Sequence, residues 1–525
     1  MSDAAQSEVA HITRRAGVVA LFTMLSRVFG AVRDIVLFHM YGASAATDAF
    51  FIAFTIPNVF RRLVAEGALT IAFIPVYSET REREGLQAAQ HLSDTVFTLL
   101  FLFVGALVAL GCVFASALVM LFASGFSDHP AQLALTTTLT RWMFPYLFFI
   151  SGVALCMGVL NAHKHFAAPA AAPVLLNVCI VGGALASDLF DPPILGVAIG
   201  VLAGGLAQLL LQVPFMMRRG LIPRPSLDVA QPAVRKLLRL MVPAVFGLAV
   251  YQVNIIVLRQ LASFLPEGHI SYYYNADRLM ELALGVFAIA IATAALPSLS
   301  DQAARKDHVG MLRTFTDSFS LTNFVTVPAA VGLVLLGEPI VSVLYLHGRF
   351  DAADVAYTTR ALLAFAPGLL AIAAVRVIVQ TFYALGDTRT PVEVAFVILF
   401  VNTTVGMILV GPYEVAGLAA TLSLSSAAQA GLLLMLLRRR LGPMGLRRVV
   451  VAGLQQLAAS AGMGVGVWGV AQLGTWGLGP RSLANIAVLG LAIAGGVALY
   501  LGLSHLLGSR EIGVLLDALN RRRRR

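Results

Sequence analysis

The sequence predicts an all-α, polytopic membrane protein of about fourteen transmembrane helices, and three observations carry that prediction. Of 525 residues, 58% are apolar and only 12% charged, with a mean hydropathy of +0.84. A water-soluble chain carries roughly twice that share of charge, so this one lacks the polar residues to cover itself. Apolar runs of about twenty residues, enough to span a hydrocarbon layer, recur along the chain. Basic residues gather in every second loop between those runs, the pattern that marks a cytoplasmic side.

The predicted spans lie near 17–38, 46–77, 95–124, 134–160, 167–187, 194–217, 238–262, 272–299, 316–346, 355–383, 391–410, 415–437, 450–473 and 484–507. The first follows Arg14 and Arg15 as a signal peptide would, but it contains Arg27, Arg33 and Asp34 and leads to no convincing cleavage site. It is therefore expected to remain as a first helix.

The loops test this order independently. Those expected inside carry Arg81, Arg83, Lys164, Arg218, Arg219, Arg224, Arg235, Lys236, Arg305, Lys306, Arg313, Arg389, Arg438, Arg439, Arg440, Arg447 and Arg448. The opposite loops hold only Arg349 and Arg481. A miscount by one helix would scramble that alternation, so both termini are expected in the cytoplasm. The closing run Arg521–Arg525 fits a tail lying on an anionic membrane face.

An internal repeat runs through the chain. Gly196, Gln208 and Arg218-Arg219 recur at one constant offset as Gly417, Gln429 and Arg439-Arg440. Pro75 and Pro169 recur as Pro297 and Pro391, at an offset just one position longer. A unit of six helices enters the membrane in the same direction each time, as in parallel-repeat transporters. The expected domains are a lobe over 1–220, a second lobe over 221–440, and two added helices with a basic tail over 441–525.

Catalytic signatures are missing. The sequence has no GxxxxGK[ST] loop, no HExxH and no nucleophile elbow. An ATP-driven pump within this chain and an enzyme are both disfavoured, and no cofactor or metal is expected. The net charge of +10 lies in short loops without any nucleic-acid motif. Cys112, Cys156 and Cys179 sit in apolar runs with no metal spacing and read as small apolar filler.

Charge within the spans points to function, because each ionised group costs at least about 2.5–3.5 kcal/mol to insert and so faces a cavity or a partner. Arg27, Arg33 and Asp34 lie in the first span, Asp48, Arg61, Arg62 and Glu66 in the second, and Asp277, Arg278 and Glu281 in the eighth. Arg259 and Arg376 are more isolated, with structural and gating roles equally open. Arg27 and Asp34 share a helix face, and Gly30 between them is a place for a bend. Arg62–Glu66 and Arg278–Glu281 have the spacing of pairs within one helix. Arginine then remains in surplus. A surplus of planar guanidinium groups suits an anion with several oxygens, such as a diphosphate. The competing reading makes these charges interhelical ion pairs that lock lobes together. The two added helices, Gly-, Ala- and Val-rich over 450–473, offer room for a lateral groove that would hold a lipid tail.

Several motifs carry a resemblance. The run Ser26-Arg27-Val28-Phe29-Gly30-Ala31-Val32-Arg33-Asp34, with Ala46-Thr47-Asp48-Ala49-Phe50-Phe51 and Pro57-Asn58-Val59-Phe60-Arg61-Arg62, resembles the MurJ/MviN family of lipid II flippases. So do Ala65-Glu66-Gly67-Ala68, Ala276-Asp277-Arg278-Leu279-Met280-Glu281, Gly348-Arg349-Phe350-Asp351 and Phe382–Pro391. The resemblance covers most of the chain up to about residue 440. It implies membership of the multidrug/oligosaccharidyl-lipid/polysaccharide exporter superfamily, with two six-helix lobes and two added helices that form a tail groove. It also implies functional importance for Arg27, Arg33, Asp34, Asp48 and Arg278, with Arg33 and Arg278 on the diphosphate, and a less defined gating or binding role for Arg61, Arg62 and Glu66. Arg376 stands where Lys is expected in many relatives and is assigned no contact.

The expected function is translocation of lipid II, the polyprenyl-diphosphate precursor of peptidoglycan, across the bacterial cytoplasmic (inner) membrane by alternating access. Alternatives are a flippase for another polyprenyl-linked glycan, a cation-coupled multidrug exporter of the same superfamily, and a scaffold whose charges are structural. Expected partners are the lipid-linked substrate, membrane lipids and proteins of cell-wall synthesis, with the chain acting as a monomer.

Overall fold

The computed structural model describes residues 3–442 and 446–513, and every regular element among them is helical. In chain order these are α1 (Asp3–Tyr41), α2 (Ala45–Phe60), a π-helical segment (Arg61–Leu69) leading into α3 (Thr70–Glu84), α4 (Leu86–Val113), α5 (Ala115–Phe122), α6 (Pro130–Met143) and α7 (Tyr146–Ala162). There follow α8 (Ala167–Leu185), α9 (Leu195–Met217), α10 (Pro232–Ala262), α11 (His269–Ala304), α12 (His308–Tyr345), α13 (Ala352–Ala384), α14 (Arg389–Leu441), α15 (Leu446–Ala471) and α16 (Leu483–Leu506). Glu414, at φ 51° and ψ −130°, breaks α14 in two where a loop at 411–414 is expected.

Among the described residues, ten helical stretches are long and apolar enough to cross a membrane, with α14 counted once. The helices α1, α2–α3 and α11 are not among them; they are the ones that carry Arg27, Arg33, Asp34, Asp48, Asp277, Arg278 and Glu281. Contrary to the bend considered at Gly30, α1 runs through it unbroken. The described cysteines are free thiols, with Cys156 buried.

The chain divides into two compact units, residues 1–264 and 265–525. The first unit thus includes α10, which packs on α3 and on the π segment. The far end of α10 is pinned to the turn after α5: the Ser124 N–H donates to Gln260 Oε1 at 2.9 Å and the Gly125 N–H to Ser263 Oγ at 3.0 Å. The connection from α9 to α10 is strapped along α4, where Asp94 Oδ1 accepts from the Arg224 N–H and Thr98 Oγ1 from the Ser226 N–H, both at 2.9 Å. These strap contacts satisfy backbone donors that a bare loop would leave to water.

In the second unit, α15 and α16 are held by α12. Phe324, Leu336, Met463, Val467 and Tyr500 form one buried cluster, and the Tyr500 hydroxyl donates to the Phe324 carbonyl at 2.7 Å. Small residues let α15 and α16 approach: a Cβ at Gly462 would stand 2.6 Å from Leu503 and one at Gly466 2.6 Å from Leu499.

The repeat is visible in the backbone. Left-handed residues recur at Gly85 and Lys306, at Lys164 and Gly386, and at Gly220 and Gly442, each pair at the offset of the sequence repeat. The turns into α8 and α14 share their hydrogen bonds, His165 N–H to Leu160 O in one and Asp387 N–H to Phe382 O in the other.

Candidate functional site

The first unit places its charged candidates on α1, α2 and the π segment. Asp48 lies in the first turn of α2 and is 1% exposed. That turn is built by a reciprocal cap in which Ser44 Oγ accepts from the Thr47 N–H and Thr47 Oγ1 from the Ser44 N–H. A carboxylate at a helix N-terminus is favoured by the unpaired N–H dipoles there.

Arg33 and Asp34 are buried together, at 7% and 1% exposure. Arg33 Nε and Nη2 both donate to Asp34 Oδ1, at 2.9 and 2.6 Å, and Nη1 donates to Asn177 Oδ1 of α8 at 3.2 Å. Neighbours in a helix diverge by about 100°, so Arg33 curls back to reach Asp34. Charge-assisted bonds of this length are the strong kind. Arg27 is half-buried on the same helix.

Arg61, half-buried, and Arg62, exposed, open the nine-residue π segment. A π segment of this length is rare, and such segments cluster at functional sites. It comes very close to a neighbour: a Cβ on Gly67 would stand 2.2 Å from the Arg62 carbonyl oxygen and 2.3 Å from Leu248 Cδ1 of α10. The side chain of Glu66, and with it the expected Arg62–Glu66 pair, lies outside the described residues, as does the tail Arg521–Arg525.

In the second unit, Asp277, Arg278 and Glu281 share α11. Arg278 Nη1 stands 3.5 Å from Glu281 Oε2, a loose contact between groups 31% and 56% exposed. Pairs this exposed contribute little. Arg259 on α10 and Arg376 on α13 are half-buried.

Three polar contacts escape a search by charge alone. Asn177, the only amide in α8, touches Arg33. His269 Nε2 lies 3.2 Å from Glu414 Oε2 at the break in α14. Tyr272, stacked on Tyr357 at 5.2 Å, donates its hydroxyl to Asp354 Oδ1 at 2.7 Å. A lone amide in an apolar span is the available signal for the first; the others depend on contacts between distant segments.

Residues 37–488 match the family model described as lipid II flippase MurJ. A protein of Vibrio cholerae named probable lipid II flippase MurJ is 36% identical over 506 residues, covering 94% of this chain and 95% of that protein. The lipid II flippase MurJ of Burkholderia cenocepacia is 34% identical over 501 residues, covering 93% of this chain and 96% of that protein. Among solved structures, lipid II flippase MurJ in an inward closed conformation superposes with a TM-score of 0.79 at 25% identity, covering 93% of this chain and 98% of the other. An inward-facing multidrug resistance MATE transporter superposes with a TM-score of 0.66 over 82% of this chain and 98% of its own, at 13% identity, a likeness of fold alone.

Proposed function

The chain belongs to the lipid II flippase MurJ family, and on that premise we propose that it is a multi-pass inner-membrane transporter that carries lipid II from the inner to the outer leaflet. Arg33, Arg278 and neighbouring cations bind the diphosphate, with Arg27, Asp34, Asp48, Arg61 and Arg62 lining the path and Glu66, Asp277 and Glu281 acting as gating or ion-pair partners. The six-helix lobes over 1–220 and 221–440, related by an axis along the membrane normal, rock about a central cavity, the added helices take the polyprenyl tail, and both termini stay in the cytoplasm. Fourteen spans and a monomer complete this proposal.

One observation carries the proposal: Arg33 is a guanidinium buried within a membrane protein, held by oriented partners rather than left to solvent. A fork of that geometry matches phosphate oxygens. With no phosphate-binding loop in the sequence, the driving force in this reading is ionic or electrical, and the membrane potential is worth about 2.3 kcal/mol per charge per 100 mV. A cation-coupled exporter would instead need acidic surplus in the spans.

The test is complementation. A bacterium depleted of its own lipid II flippase, expressing this chain, is expected to resume growth with lipid II reaching the outer leaflet. Full membrane expression without rescue would move the assignment to another polyprenyl-linked glycan.

A further inference from the structure

Asn177 sits in α8, whose other side chains carry no acid, no base and no other amide. It is 6% exposed. Burying an amide without partners costs on the order of 2 kcal/mol or more, and this one has three partners. Its Nδ2 donates to the Pro173 carbonyl of its own helix at 3.2 Å and to the Ser26 carbonyl of α1 at 3.3 Å. Both N–H groups are thereby committed to carbonyls, which fixes the amide rotamer and leaves Oδ1 toward Arg33 Nη1.

The guanidinium is thus held at two edges, by Asp34 Oδ1 on Nε and Nη2 and by Asn177 Oδ1 on Nη1. Arginine has several rotatable bonds and loses much freedom when fixed, so a second anchor from another helix is what sets its plane. The anchor is neutral. A carboxylate at 177 would add a second negative charge beside Arg33, after that of Asp34, and make the cluster repel an anion, whereas an amide orients the group without adding charge.

Resting on the reading of Arg33 as a diphosphate ligand, we infer that Asn177 is the positioning residue for that arginine: it sets the guanidinium plane that the lipid-linked diphosphate meets. Asn177 itself does not touch the substrate. Tying Ser26 of α1 to α8 through the same amide also makes the arginine's position follow the packing of those two helices.

The test is a double-substitution cycle on the full-length protein in detergent, with lipid II affinity as the readout. Asn177→Leu removes the anchor at similar volume, and Arg33→Met removes the guanidinium while keeping the stem. Asn177→Leu is expected to weaken binding about tenfold, the scale of a charge-assisted hydrogen bond, and to add nothing when Arg33→Met is already present. Equal losses by Asn177→Leu in both backgrounds would overturn the inference and make Asn177 a clasp between α1 and α8. Unchanged affinity in Asn177→Leu beside weakened binding in Arg33→Met would also overturn it, while leaving the arginine site standing. Unchanged affinity in Arg33→Met would remove the premise itself. Asn177→Ser, smaller and still polar, supplies the same comparison if the leucine variant does not fold.

Discussion

Arg219 donates to His165 Nδ1 at 3.3 Å, and at the equivalent place in the second repeat Arg440 reaches Asp387 Oδ2 at 2.7 Å. Each pair ties the end of one helix to the turn that begins the preceding one: α9 to the start of α8, and the second half of α14 to the start of its first half. The two repeats therefore use the same clasp with different chemistry, a guanidinium-to-imidazole bond in one and an ion pair in the other.

That difference predicts that the two clasps fail at different pH as the solution is acidified. Burial, then the nearby Arg219 charge, hold the His165 pKa below its ordinary value, so the folded protein binds fewer protons there than the unfolded chain. The His165 contribution is complete above the ordinary histidine pKa and is lost as pH falls through the depressed one. Burial raises the Asp387 pKa, but bonds from Thr390 and the Arg440 charge outweigh it, leaving the carboxyl below its usual range. Its contribution survives to lower pH. Hydrogen exchange of the two turns, compared at neutral pH and in mild acid, is expected to show the 163–166 turn loosening first. His165→Asp is expected to abolish the difference. Parallel loosening of both turns would refute this.

Glu511 anchors the segment after α16. It accepts hydrogen bonds from Ser320 and, at 2.6 Å, from Ser509, with Gln456 Nε2 at 3.5 Å. Burial pushes its pKa up, yet these donors outweigh burial and hold it below the ordinary carboxylate value. The anchor is thus complete at neutral pH and fails only as pH drops through the depressed pKa. Glu511→Ala, which strands buried donors, is expected to cost about 1–3 kcal/mol and to raise exchange over 507–513. A variant with unchanged exchange there would show that the segment is held otherwise.

Close backbone approach in both repeats demands glycine. A Cβ at Gly196 would stand 2.4 Å from the Gly183 carbonyl oxygen, and one at Gly417 2.1 Å from that of Leu409, whereas Gly182 faces open space. Gly196→Ala and Gly417→Ala are each expected to cost about 1–3 kcal/mol, with Gly182→Ala within about 0.5 kcal/mol. Thermal unfolding in detergent separates them, and equal melting temperatures for all three would contradict the packing.

Gly67 reports on the π segment. Gly67→Ala drives a methyl against the Arg62 carbonyl and Leu248, so the segment must shift and carry Arg61 and Arg62 with it. Transport is expected to fall more than stability does. A variant that unfolds without a selective transport defect would assign the segment a packing role only.

Much of this is legible in the sequence because it is local or periodic. Apolar runs, loop charge and the constant offset between Gly196 and Gly417 need no knowledge of distant contacts. The break at Glu414 falls where a short loop is expected. Other features are invisible for a physical reason. The π segment brings Gly67 against Leu248, residues far apart in the chain. Packing of α10 with the first unit depends on Gln260 and Ser263 meeting a turn at 124–125. Arg33 reads as a surplus cation in the sequence because its adjacent acid lies about 100° around the helix. Its partner on α8, Asn177, carries no charge, so a search for charge within the spans passes over it.

The most direct measurement is the affinity of the purified full-length protein for lipid II, with Arg33→Met and Arg278→Met compared at matched folding. Each substitution is expected to weaken binding at least about tenfold, since each removes charge-assisted bonds to the diphosphate. Undiminished affinity in both variants would contradict an arginine-built diphosphate site and leave the charges as structural ion pairs.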